Sequence, residues 1–258
     1  MTAPAPRFKR VILKLSGEML KGPLAYGHDR GAVEHIANEV CDAYRLGIEV
    51  GVVIGGGNIF RGNSDAASTM NRSVADHIGM IATVINALML QDAIERQDIP
   101  TRVMTAIPID PVAEPYIRRR AIRHLEQRRV VIFGGGTGST HFSTDSAAAL
   151  RGAETEAEVI LKGTKVDGVY TADPRKVPDA KFLETCTYQR ALVENLNVMD
   201  SAAISLSRES NLPIIVYNLA QAGNTRRVLT DGDIGTLIGD PESARFRELA
   251  ARRTPAPA

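Results

Sequence analysis

Twice in this chain a run of apolar, β-branched residues stops at three glycines. Val50-Gly51-Val52-Val53-Ile54 runs into Gly55-Gly56-Gly57-Asn58, and Val130-Val131-Ile132-Phe133 runs into Gly134-Gly135-Gly136-Thr137-Gly138. A buried strand that ends in glycine lets backbone N–H groups turn outward without interference from Cβ, and such a concavity holds phosphate oxygens. Two such turns in one domain point to two phosphorylated ligands meeting at the carboxyl ends of neighbouring parallel strands. Polar residues collect at similar breaks. Lys14-Leu15-Ser16-Gly17 closes a first apolar run, and Lys162-Gly163-Thr164 opens a stretch that continues through Tyr170 to Asp173-Pro174. No GxxxxGK loop followed by Ser or Thr is present, neither glycine turn satisfies GxGxxG, and no HRD or DFG element occurs.

These residues need a scaffold of strands and helices in alternation. Arg10 to Leu15 reads as a first strand. Val33, Ile36, Ala37, Val40 and Tyr44 recur at helical spacing, with Gly47 as a stop signal. After the first glycine strand a long helix is predicted from about Val74 to Gln97. A strand at Thr101–Thr105 and a basic helix from about Pro115 to Gln127 come next. Past the second glycine strand, a helix over Asp145–Arg151 points its start at the glycine loop, with Thr144 or Ser143 as its cap. Glu158–Lys162 and Pro213–Leu219 read as later strands. The pattern predicts an α/β fold, a three-layer α/β/α sandwich around a central, mostly parallel sheet, with ligands at the strand carboxyl ends.

The 258 residues suffice for one large domain, set at 7–240 between tails at 1–6 and 241–258 whose Pro/Ala-rich ends are expected to be disordered. A formal net charge of +1 argues against a surface built mainly for nucleic acid. Cys41 and Cys186 lack CxxC spacing, which fits reduced thiols in a cytoplasmic protein. The N-terminus has no apolar core of a secretion signal. The apolar stretch Ile78–Leu90 falls short of the roughly 20 residues that span a bilayer, so it reads as a buried or subunit-interface helix. His28, His35, His77 and His124 show no metal spacing. The arginines 118, 119, 120, 123, 128 and 129 read first as a solvated helix face.

With these motifs in order, the chain resembles the amino acid kinase superfamily and, within it, the bacterial UMP kinases. The resemblance runs from about Lys9 to Gly239. It rests on Lys14-Leu15-Ser16-Gly17-Glu18, on Gly55-Gly56-Gly57-Asn58-Ile59-Phe60-Arg61-Gly62, and on Met70-Asn71-Arg72 with Ala75-Asp76-His77-Ile78-Gly79-Met80. Thr144-Asp145-Ser146-Ala147-Ala148 and Asp167–Pro174 complete it. The block around Asp76 is the most discriminating, because it resembles the UMP-accepting branch rather than the aspartate, glutamate or carbamate kinases.

The resemblance implies reversible transfer of the ATP γ-phosphoryl group to UMP, giving UDP and ADP for pyrimidine nucleotide synthesis. The second phosphate pKa of such a monoester is about 6, so the acceptor is a dianion near neutral pH and needs no catalytic base. The task is to align two polyanions and stabilise charge on the moving group, with Mg²⁺ carried by ATP. The family pattern assigns Lys14, Asp145 and Lys162 to catalysis, with Asp145 orienting the lysines and standing near Mg²⁺. A strand-end lysine taken alone is usually a solvated charge, and Asp145 alone reads equally as an N-cap. On the ATP side, mainly 151–240, the pattern implies Thr164, Tyr170 and Asp173, together with Lys14, Leu15, Ser16, Gly17, Gly57 and Arg61. On the UMP side, mainly 1–150, it implies Gly56, Asp76, Thr137, Gly138, Ser139, Thr140, His141, Phe142, Ser143 and Thr144. Asp76 would take the ribose hydroxyls. Asp200 would approach the nucleotide.

Two departures stand out. Many relatives read Gly-Thr-Gly-Asn-Pro-Phe-Phe-Thr-Thr-Asp where this chain has Gly136-Thr137-Gly138-Ser139-Thr140-His141-Phe142-Ser143-Thr144-Asp145, which leaves discrimination against CMP open. GTP activation between subunits is implied by Asp92, Arg102 and Arg129, but Gln91 stands where an arginine can occur. The family also implies UTP inhibition and a homohexamer built as a trimer of dimers. Two alternatives remain: a kinase of this fold with another acceptor, and a nucleotide-binding homologue without turnover.

Overall fold

A computed structural model describes residues 5–61, 69–174, 176–196, 198–251 and 253. Gly62 and most of the residues expected as disordered ends lie outside them. Strand β1 (Arg10–Leu15) leads through a single 3₁₀ turn (Gly17–Met19) to helix α1 (Arg30–Arg45) and strand β2 (Glu49–Ile54). Then come α2 (Arg72–Glu95), β3 (Thr101–Thr105), β4 (Glu114–Pro115), α3 (Arg118–Glu126) and β5 (Val130–Gly134). The second half holds α4 (Thr144–Glu154), β6 (Val159–Thr164), β7 (Val169–Tyr170), β8 (Phe182–Leu183), β9 (Thr185–Thr187), α5 (Tyr188–Val193) and α6 (Ser201–Glu209). β10 (Ile214–Asn218), α7 (Asn224–Thr230), β11 (Thr236–Gly239) and α8 (Ala244–Ala251) complete it.

Among the described residues nine strands form one sheet in the order β4-β3-β5-β2-β1-β6-β10-β11-β9. Every pairing is parallel except β10 with β11. β7 and β8 make a separate antiparallel pair. The fold is therefore the α/β sandwich expected from the alternating pattern. Alternate residues of each central strand enter opposite cores, as the two-residue period requires. Val11, Leu13 and Leu15 pack with α1, α2, α7 and α8, whereas Ile12 packs with α3, α4, α5 and α6. The same alternation turns Lys14 toward α4. Across β6, Val159 and Leu161 join the first core and Ile160 the second, so Lys162 also faces α4. Lys14 and Lys162 are direct register partners on neighbouring strands.

Two expectations change and a third holds. Pro115 sits in the short strand β4 and α3 begins only at Arg118, since Pro and its predecessor favour extended backbone. The segment expected as a tail after 240 holds α8, whose Phe246 and Leu249 are buried. α2 spans 24 residues and by length and composition alone could cross a membrane. Its inner residues Ala87, Leu90, Ala93 and Ile94 are buried in the first core, which makes it a core helix.

Candidate active site

The carboxyl ends of β1, β2, β5 and β6 converge on the N-terminus of α4. Ser143 caps that helix, its Oγ accepting from the N–H groups of Asp145 at 2.9 Å and Ser146 at 3.3 Å. Asp145 is thus not the cap. It lies in the first helical turn, where the helix dipole favours a carboxylate. Three alanines, 147 to 149, follow and are buried, which lets the helix start sit down on the sheet.

From there Asp145 reaches both lysines. Its Oδ1 lies 2.5 Å from Lys14 Nζ as an ion pair. Its Oδ2 accepts from Lys162 Nζ at 3.0 Å. Lys162 Nζ also donates to the Val198 carbonyl. Burial pushes the Asp145 carboxyl up, but the charges of Lys14 and Lys162 outweigh it and hold the group below the ordinary carboxylate range. Lys162 shifts down. Burial is the largest cause and the like charge of Lys14 adds to it, while Asp145 only partly opposes. The result is two nearly buried ammoniums sharing one carboxylate at the end of a parallel sheet.

The two glycine turns flank this triad and use their glycines differently. Gly135 and Gly136 are consecutive left-handed residues, with φ of +75° and +61°, a conformation that side chains resist. The first turn contains no left-handed glycine, so a concavity of that kind does not explain it. At Gly56 a glycine is required by close approach. A Cβ on Gly56 would come within 2.8 Å of Ala82 Cβ and 2.9 Å of the Gly79 carbonyl on α2.

Between the turns opens a small cleft of about 150 Å³. Gly56, Gly57, Asp76, Thr137, Phe142 and Thr144 line it. Asp76 Oδ1 accepts from Arg72 Nε at 3.0 Å, and Oδ2 accepts from the His141 N–H at 2.7 Å. Burial raises this carboxyl, yet those two donors together bring it below the ordinary range. Thr137 Oγ1 is turned into its own loop, bonded to both the carbonyl and the N–H of Ser139. His141, Phe142 and Ser143 border an adjoining hollow with Arg72 and Asp200, and Gly138, Ser139 and Thr140 form the loop between.

A second cleft lies on the other side of the triad. Thr164, Tyr170 and Asp173 line it with Gly168, Asn195 and Leu196. Tyr170 packs edge-on against Phe182 at 5.4 Å between ring centroids. Leu15, Ser16 and Gly17 lie at the end of β1 between the two clefts. Gly57 lines the first cleft rather than the second. Arg61 stands beside it, donating to Glu18 Oε1 from Nε at 2.9 Å, and Glu18 also pairs with Lys21 at 3.1 Å.

Asp200, expected near the nucleotide, and Arg151, which sequence reasoning missed, extend the site. Ser143 and Ser146 both donate to Asp200, which itself caps α6 through the Ala203 N–H. Asp200 therefore ties α6 to the start of α4. Arg151, almost fully buried, stacks on Tyr116 at 3.8 Å and reaches the Gly136 carbonyl at 3.4 Å. Within one chain the three residues expected at an effector site are dispersed. Asp92 pairs with Arg96, Arg102 with Glu95 and Glu114, and Arg129 with His124. Asp92 and Arg102 line different grooves.

Comparison with known proteins follows the same lines. The model of the amino acid kinase family matches residues 9–218. The crystal structure of UMP kinase from Bacillus anthracis superposes with a TM-score of 0.88 at 43% identity, covering 91% of this chain and 97% of its own. UMP kinase from Ureaplasma parvum superposes with a TM-score of 0.83 at 35% identity, covering 91% of this chain and 100% of its own.

Proposed function

The chain belongs to the amino acid kinase family, and on that premise we propose that it is a UMP kinase: ATP with Mg²⁺ and UMP give ADP and UDP by direct in-line transfer. The observation that carries the reading is the Lys14–Asp145–Lys162 triad between two clefts, together with the similarity to two UMP kinases over nearly the whole chain. A dianionic acceptor needs no base, and the triad offers none: its carboxylate is spent on two ammoniums. What it offers is positive charge where phosphoryl charge accumulates. The cleft of Gly56, Asp76, Thr137 and Thr144 takes the acceptor, and the cleft of Thr164, Tyr170 and Asp173 takes the donor. Arg61 lies where a fork of donors can span phosphate oxygens.

Mg²⁺ fits as a passenger of ATP. Among the described residues no group of three His, Cys, Asp or Glu side chains could hold a metal. The triphosphate would supply its ligands, with Asp145 reaching it through water, and the ion when bound neutralises charge between the phosphates. GTP activation would have to assemble Asp92, Arg102 and Arg129 across subunits of a hexamer. UTP would inhibit by occupying the acceptor cleft. A cytoplasmic enzyme fits these substrates.

The test is ADP formation from ATP and Mg²⁺ with UMP, CMP, aspartate, glutamate and carbamate offered separately. Turnover with UMP and not with the amino acids or carbamate is expected. ATP binding with no acceptor used would leave a nucleotide-binding protein without turnover. A sharper expectation concerns Asp76. Its two oxygens face two donors, so an amide nitrogen at either position meets an N–H. Asp76→Asn should raise the KM for UMP by about tenfold or more, with kcat changed only a few-fold. Unchanged dependence on UMP would remove Asp76 from the acceptor site.

A further inference from the structure

The apolar helix α2 carries two polar side chains on its inner face, three residues apart, and each is bonded to a different glycine turn. Thr83 Oγ1 donates to the Met80 carbonyl at 2.6 Å and accepts from the Gly135 N–H at 2.8 Å. Asn86, with no exposed surface, donates from Nδ2 to the Gly55 carbonyl at 2.6 Å. Its amide also pairs reciprocally with that of Asn58, at 2.7 Å and 3.1 Å, and its Oδ1 meets His28 Nε2 at 2.7 Å. Asn58 is buried too and donates onward to the Gly27 carbonyl. A Cβ on Gly17 would fall 2.4 Å from the Gly55 carbonyl and 2.5 Å from Asn58 Oδ1, so the end of β1 is packed into the same cluster.

Buried polar groups on an apolar helix face cost stability unless fully bonded, and an isolated pair of them could be replaced by apolar side chains. Here they do something an apolar side chain cannot. One helix grips the strand ends of β2 and β5 through directional bonds set one helical turn apart. Residues three apart on a helix lie about one turn from each other on one face, at a rise of about 1.5 Å per residue. The spacing of the two turns is therefore referred to a rigid element rather than to two loops.

We infer that Thr83 and Asn86 are positioning residues: α2 acts as a brace that sets the second glycine turn against the first, and so the width of the acceptor cleft that both turns line. The inference rests on the proposed reading of that cleft as the acceptor site. An in-line transfer is sensitive to displacements of about 1 Å, which can cost on the order of 100-fold in rate.

Thr83→Val keeps the shape and removes the acceptor for the Gly135 N–H. It should lower kcat/KM for UMP by about 10- to 100-fold while the dissociation constant of ATP, measured separately, stays within about threefold. Thr83→Ser restores the oxygen and should recover most of the loss. Amide exchange read by mass spectrometry should rise across residues 134–138 in Thr83→Val and across 55–59 in Asn86→Ala, with the rest of the sheet unchanged. A Thr83→Val enzyme with parental kcat/KM for UMP, or one that loses ATP affinity to the same extent, overturns the brace. If Thr83→Val does not fold, a folded but slow Thr83→Ser overturns it equally. Absence of UMP-dependent turnover in the parent protein would defeat the proposed function, and the exchange pattern would still decide the brace: unchanged protection at both turns rejects it.

Discussion

Lys162→Ala should lower kcat on the order of 10³-fold while UMP binds within about threefold of its parental affinity. The asymmetry comes from where the ammonium sits. Lys162 projects from β6 toward α4, between Asp145 and the Val198 carbonyl, two residues before Thr164 of the donor cleft. None of its hydrogen bonds or ion pairs among the described residues reaches a residue that lines the acceptor cleft. Its removal would take positive charge from the moving phosphoryl group, where charge develops only in the transition state, and leave acceptor contacts intact. A near-normal rate sinks the assignment.

The pH dependence follows with a definite sign. Burial, aided by the Lys14 charge, depresses Lys162 below the 10.5 of an unburied lysine. The charged form is the working form, so the rate falls as pH rises through that depressed value, on an alkaline limb below 10.5. Stability runs the other way. A lysine depressed in the folded state binds fewer protons there than in the unfolded chain, so deprotonation relieves a cost and this group favours folding as pH rises. Lys162→Arg should move the alkaline limb of kcat/KM upward or abolish it. A limb that is unmoved belongs to another group.

The legible part of this protein is the part written in short-range pattern. β1 and β3 occupy the predicted residues, and β5 and β10 lie within a residue of theirs, because buried parallel strands are continuous apolar runs between glycine or proline breaks. β7, β8, β9 and β11 are two to four residues long, and their pairing is set by distant partners such as Leu237 with Thr185. No local signal marks them. α8 hides in a polar sequence where only Phe246 and Leu249 are buried. At the site, Lys14, Asp145 and Lys162 stand beside recognisable loops, and register explains why they meet. Val198 contributes a carbonyl, to which sequence is blind. Asn86 and Thr83 carry a signal that was available: polar residues in the middle of an apolar helix, three apart. Their partners are main-chain atoms of glycine turns, which only the packed fold reveals.

Asp145→Asn should be nearly as damaging as loss of a lysine, with a kcat lower by roughly 10²- to 10³-fold, and its signature should differ. The amide can offer its oxygen to one lysine only, and its nitrogen must then face the other ammonium. Lys14 and Lys162 lie side by side in register, so without the carboxylate two nearly buried like charges oppose each other. Lys162 loses the attraction that resists its depression, and its ammonium deprotonates at a lower pH still. The alkaline limb in this variant should therefore move down relative to the parent, whereas Lys162→Ala should have no such limb. Stability carries the opposite sign from the lysine case. Asp145 is held below 3.8, so it stabilises the fold above that value and the contribution is lost as pH falls through the lower, folded-state value. The difference in unfolding midpoint between parent and variant should be largest near neutral pH and shrink in acid. A variant with parental stability at neutral pH and an unmoved limb would mean that Asp145 does not hold the two lysines together, and the triad would lose its central member.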